Sequence, residues 1–465
     1  MKANVTVLFL IISFYSFAQK NLDVTWGAWG DSSFESEAFF SLGKSFEDTT
    51  GYLLVNKSGK LEYFDEALHK RYEADLFGGG KNTKVMLAKR LGHKAYLVVL
   101  ENETACKVYK YDYRTKTAEF ERDIFEIKKT DVLQPSVSSD SSYYVFSTYS
   151  SGKTPVVNFF VTDSLFKVKW ERRDLPVQAT DKYFIEPTVN SQGDVAFADT
   201  DKESFLVRVL SQKGKIHKPS AFSFLGEKYV NVKSTSNEDA FVFALLYNKE
   251  NINYNCAENL QVIHAPDANV VPISQSLSLD DCIDNQMIMH LNLERGGILR
   301  IVCETFSNNR NDSNNRCTYG SLWVLGVDVS AGSLLWKKEI FKNLYFVGET
   351  SVIASPYSAD YLSDFGHGYF EYKKDIYFLY GDNCQNCINT VTNPKSHSNL
   401  KNSCLALVSI DEHGVVMRHT YSSMPNVKYK VDAQSFVSTC NGCIIFKSNG
   451  KQSRLGLVKL NRRYK

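Results

Sequence analysis

The chain has 465 residues, with 54 Lys+Arg against 52 Asp+Glu and a formal net charge of +2. At 43% hydrophobic and 23% charged it has a globular composition, which excludes a disordered chain. Its near-neutral charge excludes a protein that holds nucleic acid chiefly through phosphate contacts. Thirty Phe and 26 Tyr against only 10 Pro make a strand-favouring mixture.

The first element is a leader. Met1-Lys2 is followed by an apolar run from Val5 to Phe17 and then by Ala18-Gln19. A basic start, a short apolar core and a small residue at the break predict a secretory signal peptide over 1–19, cleaved to leave a chain starting near Lys20 or Asn21. No Cys stands at the junction to take a lipid anchor. No later stretch approaches the roughly 18 uninterrupted apolar residues that a membrane helix needs. The expectation is a single domain over 20–465, periplasmic or extracellular.

Along the rest of the chain one unit recurs: an apolar strand, an Asp-containing turn, then a strand with an aromatic or charged pair. It appears as KLEYFDEALHKRYEADL (60–76), VYKYDYRTKTAEFERDI (108–124), FFVTDSLFKVKWERRDL (159–175), LWVLGVDVSAGSLLWKKEI (322–340) and LALVSIDEHGVVMRHTY (405–421). Weaker copies are FLVRVLSQKGKIHKPSAF (205–222) and LQVIHAPDANVVPI (260–273), and the chain closes on LGLVKLNRRY (455–464). The turn residues Asp65, Asp112, Asp163, Gln212, Asp267, Asp328, Asp411 and Asn461 are spaced by 47, 51, 49, 55, 61, 83 and 50. Asp and Asn close such turns on nearby backbone groups. Four strands in about 50 residues is the period of a β-propeller blade.

The fold class is therefore all-β, a single propeller of eight blades, with seven as the alternative because the fourth and fifth periods are degenerate. The last period holds only three strands. NLDVTWGAWG (21–30) is expected to supply its outer strand and close the ring. A short helix is expected near Ser358–Leu362, and surface loops at 307–315 and 389–403.

The WGAW of 26–29, GYLLVNKSGKLEYFDEAL (51–68), SVSSDSSYYVFSTYS (136–150), DSLFKVKW (163–170) and LALVSIDEHGVV (405–416) together resemble a group of exported, uncharacterised β-propeller-like proteins of Bacteroidota. The resemblance is one of blade rhythm and implies fold and export. LGVDVSAGSLLWKKE (325–339) also resembles the blade motif of quinoprotein-type propellers. That likeness implies that Asp328, Gly332 and Trp336 lock one blade to the next without touching a cofactor. No cofactor is expected.

Nine of the ten cysteines lie beyond residue 250. In an oxidising compartment they read first as disulfides. The strand count places Cys106, Cys256, Cys303, Cys317, Cys384, Cys387 and Cys404 in or beside connections between second and third strands, and Cys282 in a connection between blades. All eight then share one face. Cys303 and Cys317 flank the 13-residue ETFSNNRNDSNNR. A bridge there would stabilise by about 3 kcal/mol in the chain-entropy model for a 15-residue loop. The expected bridges are Cys303–Cys317, Cys404 with Cys384 or Cys387, and Cys256–Cys282. In CNGC, Asn441-Gly442 reads as a hairpin turn that Cys440 and Cys443 could bridge. Cys384, Cys387, His397 and Cys404 have the count of a structural zinc site, an alternative that the compartment disfavours. Ile388 and Ile444 stand where haem attachment would need His.

Catalytic signatures are thin. DFGHGYF (364–370) offers Asp364 and His367 beside two glycines, but an irregular turn entering a strand is the plainer reading. His264, His290 and His419 sit in strand patterns and read as packed or surface residues. There is no GxSxG, HExxH or Walker loop. SNNRNDSNNR (307–316) lacks the ordered acidic spacing of a calcium loop. Two readings result. One is a non-enzymatic, exported protein-binding scaffold whose partner belongs to an outer-membrane transport or secretion assembly. The alternative is a carbohydrate-active enzyme with Asp360 or Asp364 as acid and base.

Overall fold

The computed structural model describes residues 22–31, 39–44, 51–77, 82–178, 187–200, 204–217, 220–223, 228–238, 240–248, 256–265, 272–284, 286–294, 296–309, 316–347, 367–372, 374–383, 386, 403–422, 428–430, 437–439, 442–448 and 452–460. These residues form eight separate antiparallel sheets. In chain order, seven of them are built on four-stranded meanders, with a fifth strand added in blade 6: blade 1 over 39–75, blade 2 over 83–126, blade 3 over 132–176, blade 4 over 188–223, blade 5 over 228–284, blade 6 over 286–340 and blade 7 over 368–422. Blade 8 (428–459) takes its outer strand from the N-terminal side, where Val24–Trp26 pairs with Gly456–Val458. The eight-bladed ring and its closing strand are as the repeat period implies. The leader, Asp267, Asn461 and the helix expected at 358–362 lie outside the described residues.

The packing explains the sequence rhythm. Among the described residues the core falls into eight apolar clusters, and each joins two successive blades, including blade 8 to blade 1. Side chains alternate between the two faces of a strand. In blade 5, Val242, Ala244 and Leu246 therefore pack on blade 6, while Phe241, Phe243 and Leu245 pack on blade 4. With both faces covered, a second strand reads as an unbroken apolar run instead of an alternating one. First strands of neighbouring blades lie against one another, as in blades 1 and 2 or 5 and 6, so they line the axis.

The recurring aspartates close the turns between third and fourth strands. Asp65 accepts from His69 N at 2.8 Å, Asp112 from Arg114 N at 2.9 Å, and Asp163 from Leu165 N at 2.9 Å. Asp328 accepts from Ser330 N at 2.9 Å and Asp411 from Val415 N at 2.8 Å. These carboxylates are spent on backbone amides, which is why acid–base chemistry does not attach to them.

Inter-blade locks follow the same turns. Gly332, at φ +63°, lets the blade 6 turn approach Gln275 on the outer strand of blade 5, where an added Cβ would come within 2.6 Å of its side chain. Trp336, on the outer strand of blade 6, lies against Gly414 in the equivalent turn of blade 7. The lock implied by the quinoprotein-like stretch is thus present. Blade 3 repeats it: Trp170 lies beside Gly214 of blade 4 and donates from Nε1 to the Gly193 carbonyl at 3.0 Å. At the closing blade, the Arg454 guanidinium sits 4.9 Å from the Trp26 ring and 4.5 Å from the Trp29 ring.

Replacing Trp170 with Ala is expected to lower stability by about 3–5 kcal/mol, the range for a deleted buried aromatic. Trp170→Phe keeps most of the apolar contact and should lose roughly 1 kcal/mol for the donated bond. Urea denaturation of both variants checks the order.

Candidate interaction face

In an antiparallel four-stranded blade, the hairpin between the second and third strands and the connection to the next blade open on the same side of the ring, here termed the upper face. The described strands are longest on that side in blades 5 and 6. In blade 6 the second and third strands, Ile298–Asn309 and Arg316–Asp328, stay paired to their ends. Leu344–Val347 then pairs with the upper end of the third strand, Arg316–Tyr319, making a three-stranded arm. In blade 5, Cys256 and Ala257 pair with Asp284 and Ile283 beyond a bulge, so this sheet is extended as well.

The arm overturns one expected bridge. Cys303 pairs with Trp323, whereas Cys317 pairs with Asn308, five residues farther along the ladder. At about 3.4 Å per residue they are roughly 17 Å apart, far beyond the 4.4–6.8 Å that a disulfide spans. The strand simply continues past Cys303, which is a buried free thiol whose pKa burial pushes up to about 12. Cys106 is likewise a buried free thiol, beside the connection between second and third strands of blade 2 as expected, with its side chain in the core between blades 2 and 3.

Cys443 is a buried free thiol too, so it does not bridge to Cys440. Gly442 already belongs to the strand and pairs with Thr439, so the turn does not centre on Asn441-Gly442. Cys256 and Cys282 stand on adjacent strands, two residues out of register. Cys404 is held in a disulfide. A disulfide sulfur is not a thiolate ligand, which removes it from the zinc alternative. Cys384, Cys387, His397, Cys440, Asp360 and Asp364 lie outside the described residues. Among the described residues, no group of three His, Cys, Asp or Glu could hold a metal ion.

Beneath the arm, blades 6 and 7 enclose a polar spine. Glu304, on the second strand of blade 6, is 1% exposed and forms an ion pair with Lys342, which follows the outer strand and is also 1% exposed. His367, just before the first strand of blade 7, brings Nδ1 to 3.3 Å from the second carboxylate oxygen. That approach is close enough for electrostatic attraction but is not aligned as a hydrogen bond. The His367 ring meets His290 edge-on at 5.2 Å, and His290 stacks on Tyr369 at 4.3 Å. On the other side, the Tyr380 ring lies 5.7 Å from Lys342 Nζ and 6.0 Å from Arg418 Cζ. Arg418 forms an ion pair with the buried Asp382, which also accepts from Asn386 Nδ2 and from its neighbour Asn383 N, each at 2.8 Å.

The spine has counterparts around the ring. Glu101 in blade 2 and Asp199 in blade 4 also sit buried near the upper end of a second strand. Lys107 lies 2.9 Å from Glu101, and Arg208 lies 2.6 Å from Asp199. Each of these carboxylates has a cation, so the arrangement fastens strand ends and leaves none of them as a general base. Burial alone would raise the Glu304 pKa, but Lys342 and then His367 overcome it and hold the carboxyl at about 2, against an ordinary 4.5. His367, flagged in the sequence beside Asp364, is 1% exposed, which removes it from any solvent-open catalytic loop. His419 is a buried strand residue, and His290 is a half-buried one whose Nε2 is closed off from solvent, within the packed-or-surface reading of their patterns.

No family model matches the chain, and no curated protein matches it. Among solved structures, it is similar to the WD40 domain of SCAP from fission yeast, at 9% identity over 94% of this chain and 98% of that one, with a TM-score of 0.40. It is also similar to the C-terminal WD40 domain of Sif2, at 9% identity over 95% and 99%, with a TM-score of 0.46. Apo AztD from Citrobacter koseri is 11% identical over 83% and 87%, with a TM-score of 0.37. At such values the likeness is one of blade architecture and says nothing of ligand or activity.

Lys342→Met, which strands the Glu304 carboxylate, is expected to destabilise by about 3–5 kcal/mol, whereas Lys342→Met with Glu304→Leu should recover most of that loss. The pH dependence follows from a folded pKa below the unfolded one. The Glu304 contribution is complete above pH 4.5 and is lost as pH falls towards 2. Urea denaturation of the three proteins between pH 3 and 7 checks both expectations.

Proposed function

We propose that the chain is an exported, non-enzymatic propeller that binds a protein partner through the upper face of blades 5–7, as a scaffold attached to an outer-membrane transport or secretion assembly. The observation that carries this reading is the three-stranded arm of blade 6, which rises from a ring whose own core is already complete at every blade junction. Propellers commonly serve as protein-interaction scaffolds. A rigid arm loses little conformational freedom on association, which favours recognition. The polar spine supports the same reading, because it fixes the base of the arm and engages the buried acids there with cations. Export rests on the Met1–Gln19 leader pattern and on the likeness to exported propellers of Bacteroidota.

Two measurements test the proposal. N-terminal sequencing of protein secreted by a suitable host should begin near Lys20 or Asn21. Pull-downs from solubilised envelopes should return a partner with the full chain, and at least tenfold less with residues 307–318 replaced by Asn-Gly. That replacement is compatible with the hairpin because Phe306 pairs with Tyr319, leaving a two-residue turn. A variant that captured the partner as well as the full chain would remove the arm from the interface.

A further inference from the structure

His290 occupies an unusual position in the seam between blades 6 and 7. It lies on the first strand of blade 6, Gln286–Leu293, and its Nε2 is closed off from solvent with no hydrogen-bond partner. The groups around it come from every neighbouring element. The second strand of blade 6 supplies Glu304, and the segment after its outer strand supplies Lys342, the partner of Glu304. Blade 7 supplies His367 and the stacked Tyr369. The first strand of blade 5 supplies Lys233, whose charge also acts on the ring. The one anion in this set is already paired with Lys342, so a second positive charge at His290 would stand beside Lys233 and His367 with no carboxylate of its own.

We infer that His290 is an acid-sensitive latch: taking up a proton there parts the upper ends of the first strands of blades 6 and 7, while the remaining blade junctions stay closed. The chemistry involved is a single proton passing from solvent to Nε2 as the ring moves into water. Burial and then His367 hold the His290 pKa well below the ordinary 6.5; Glu304 pulls the other way, and Lys233 adds to the lowering. The sign follows. The closed seam holds the neutral ring and is fully favoured above pH 6.5, and opening gains ground as pH falls below it. At pH 5.0, which is 1.5 units lower, the population of the open seam should rise by up to about 30-fold. Most carboxylates act on stability below this window; Glu294, just after the same strand, and Glu62 have pKa values raised by burial, so their contributions grow as pH falls, opposite in sign to that of His290. His264, in blade 5, has a pKa lowered by burial and so acts in the same direction as His290, and the test therefore compares variants and not pH values alone.

The test is hydrogen exchange by mass spectrometry on the full chain at pH 7.5 and 5.0, with labelling times scaled for the intrinsic pH dependence. Peptides covering 286–294 and 367–372 report the seam, and those covering 83–126 report blade 2 as an internal standard. In the native sequence, seam protection relative to blade 2 should fall by 10-fold or more at pH 5.0 and return when the sample is brought back to pH 7.5. In His290→Phe the ratio should not change with pH. Should that variant fold poorly by circular dichroism, His290→Gln supplies a polar, non-titrating side chain at the same position and the same expected flat ratio. A native ratio that stays constant between the two pH values overturns the inference, as does a non-titrating variant that loses protection as much as the native chain.

Discussion

The constraint on which this molecule depends is that each blade is apolar on both faces and can satisfy them only between two neighbours. A four-stranded sheet standing alone would leave one or both faces in water. The eight clusters at the eight junctions are the outcome, and none can be completed within one blade. The ring is therefore closed by necessity, and the pairing of Val24–Trp26 with the last strand satisfies the final junction and its sheet edge together.

Within that apolar scheme the buried acids stand out. Burying an ionised carboxylate is costly unless a cation and hydrogen bonds accompany it. Glu101, Asp199, Glu304 and Asp382 all meet that condition near the upper end of a second strand. Such pairs add little net stability, but they demand one geometry, since any slip strands a charge. At the base of the arm this specificity matters most, because a lever-like extension transmits whatever play exists at its root.

The architecture was legible in the sequence because its signals are local. An Asp two to four residues from the amide it binds, a Gly where the preceding blade's side chain must approach, and a Trp four residues after that Gly all lie within one repeat. The polar spine was not legible. His290, Glu304, Lys342, His367, Tyr380 and Arg418 come from two blades, and no motif links them until the ring has closed. Only His367 carried a signal, through its two flanking glycines. The misplaced Cys303–Cys317 bridge has a related cause: strand length is set by tertiary pairing, and an Asn-rich stretch that reads as loop can continue a ladder when an adjacent strand accepts it.

The closing strand also imposes an order of events. Residues 24–26 are synthesised well before their hydrogen-bonding partners at 456–458. An early segment carrying Trp26 and Trp29 must remain unsatisfied through the assembly of seven blades. Contacts of such separation are slow to form and leave a strand edge exposed meanwhile.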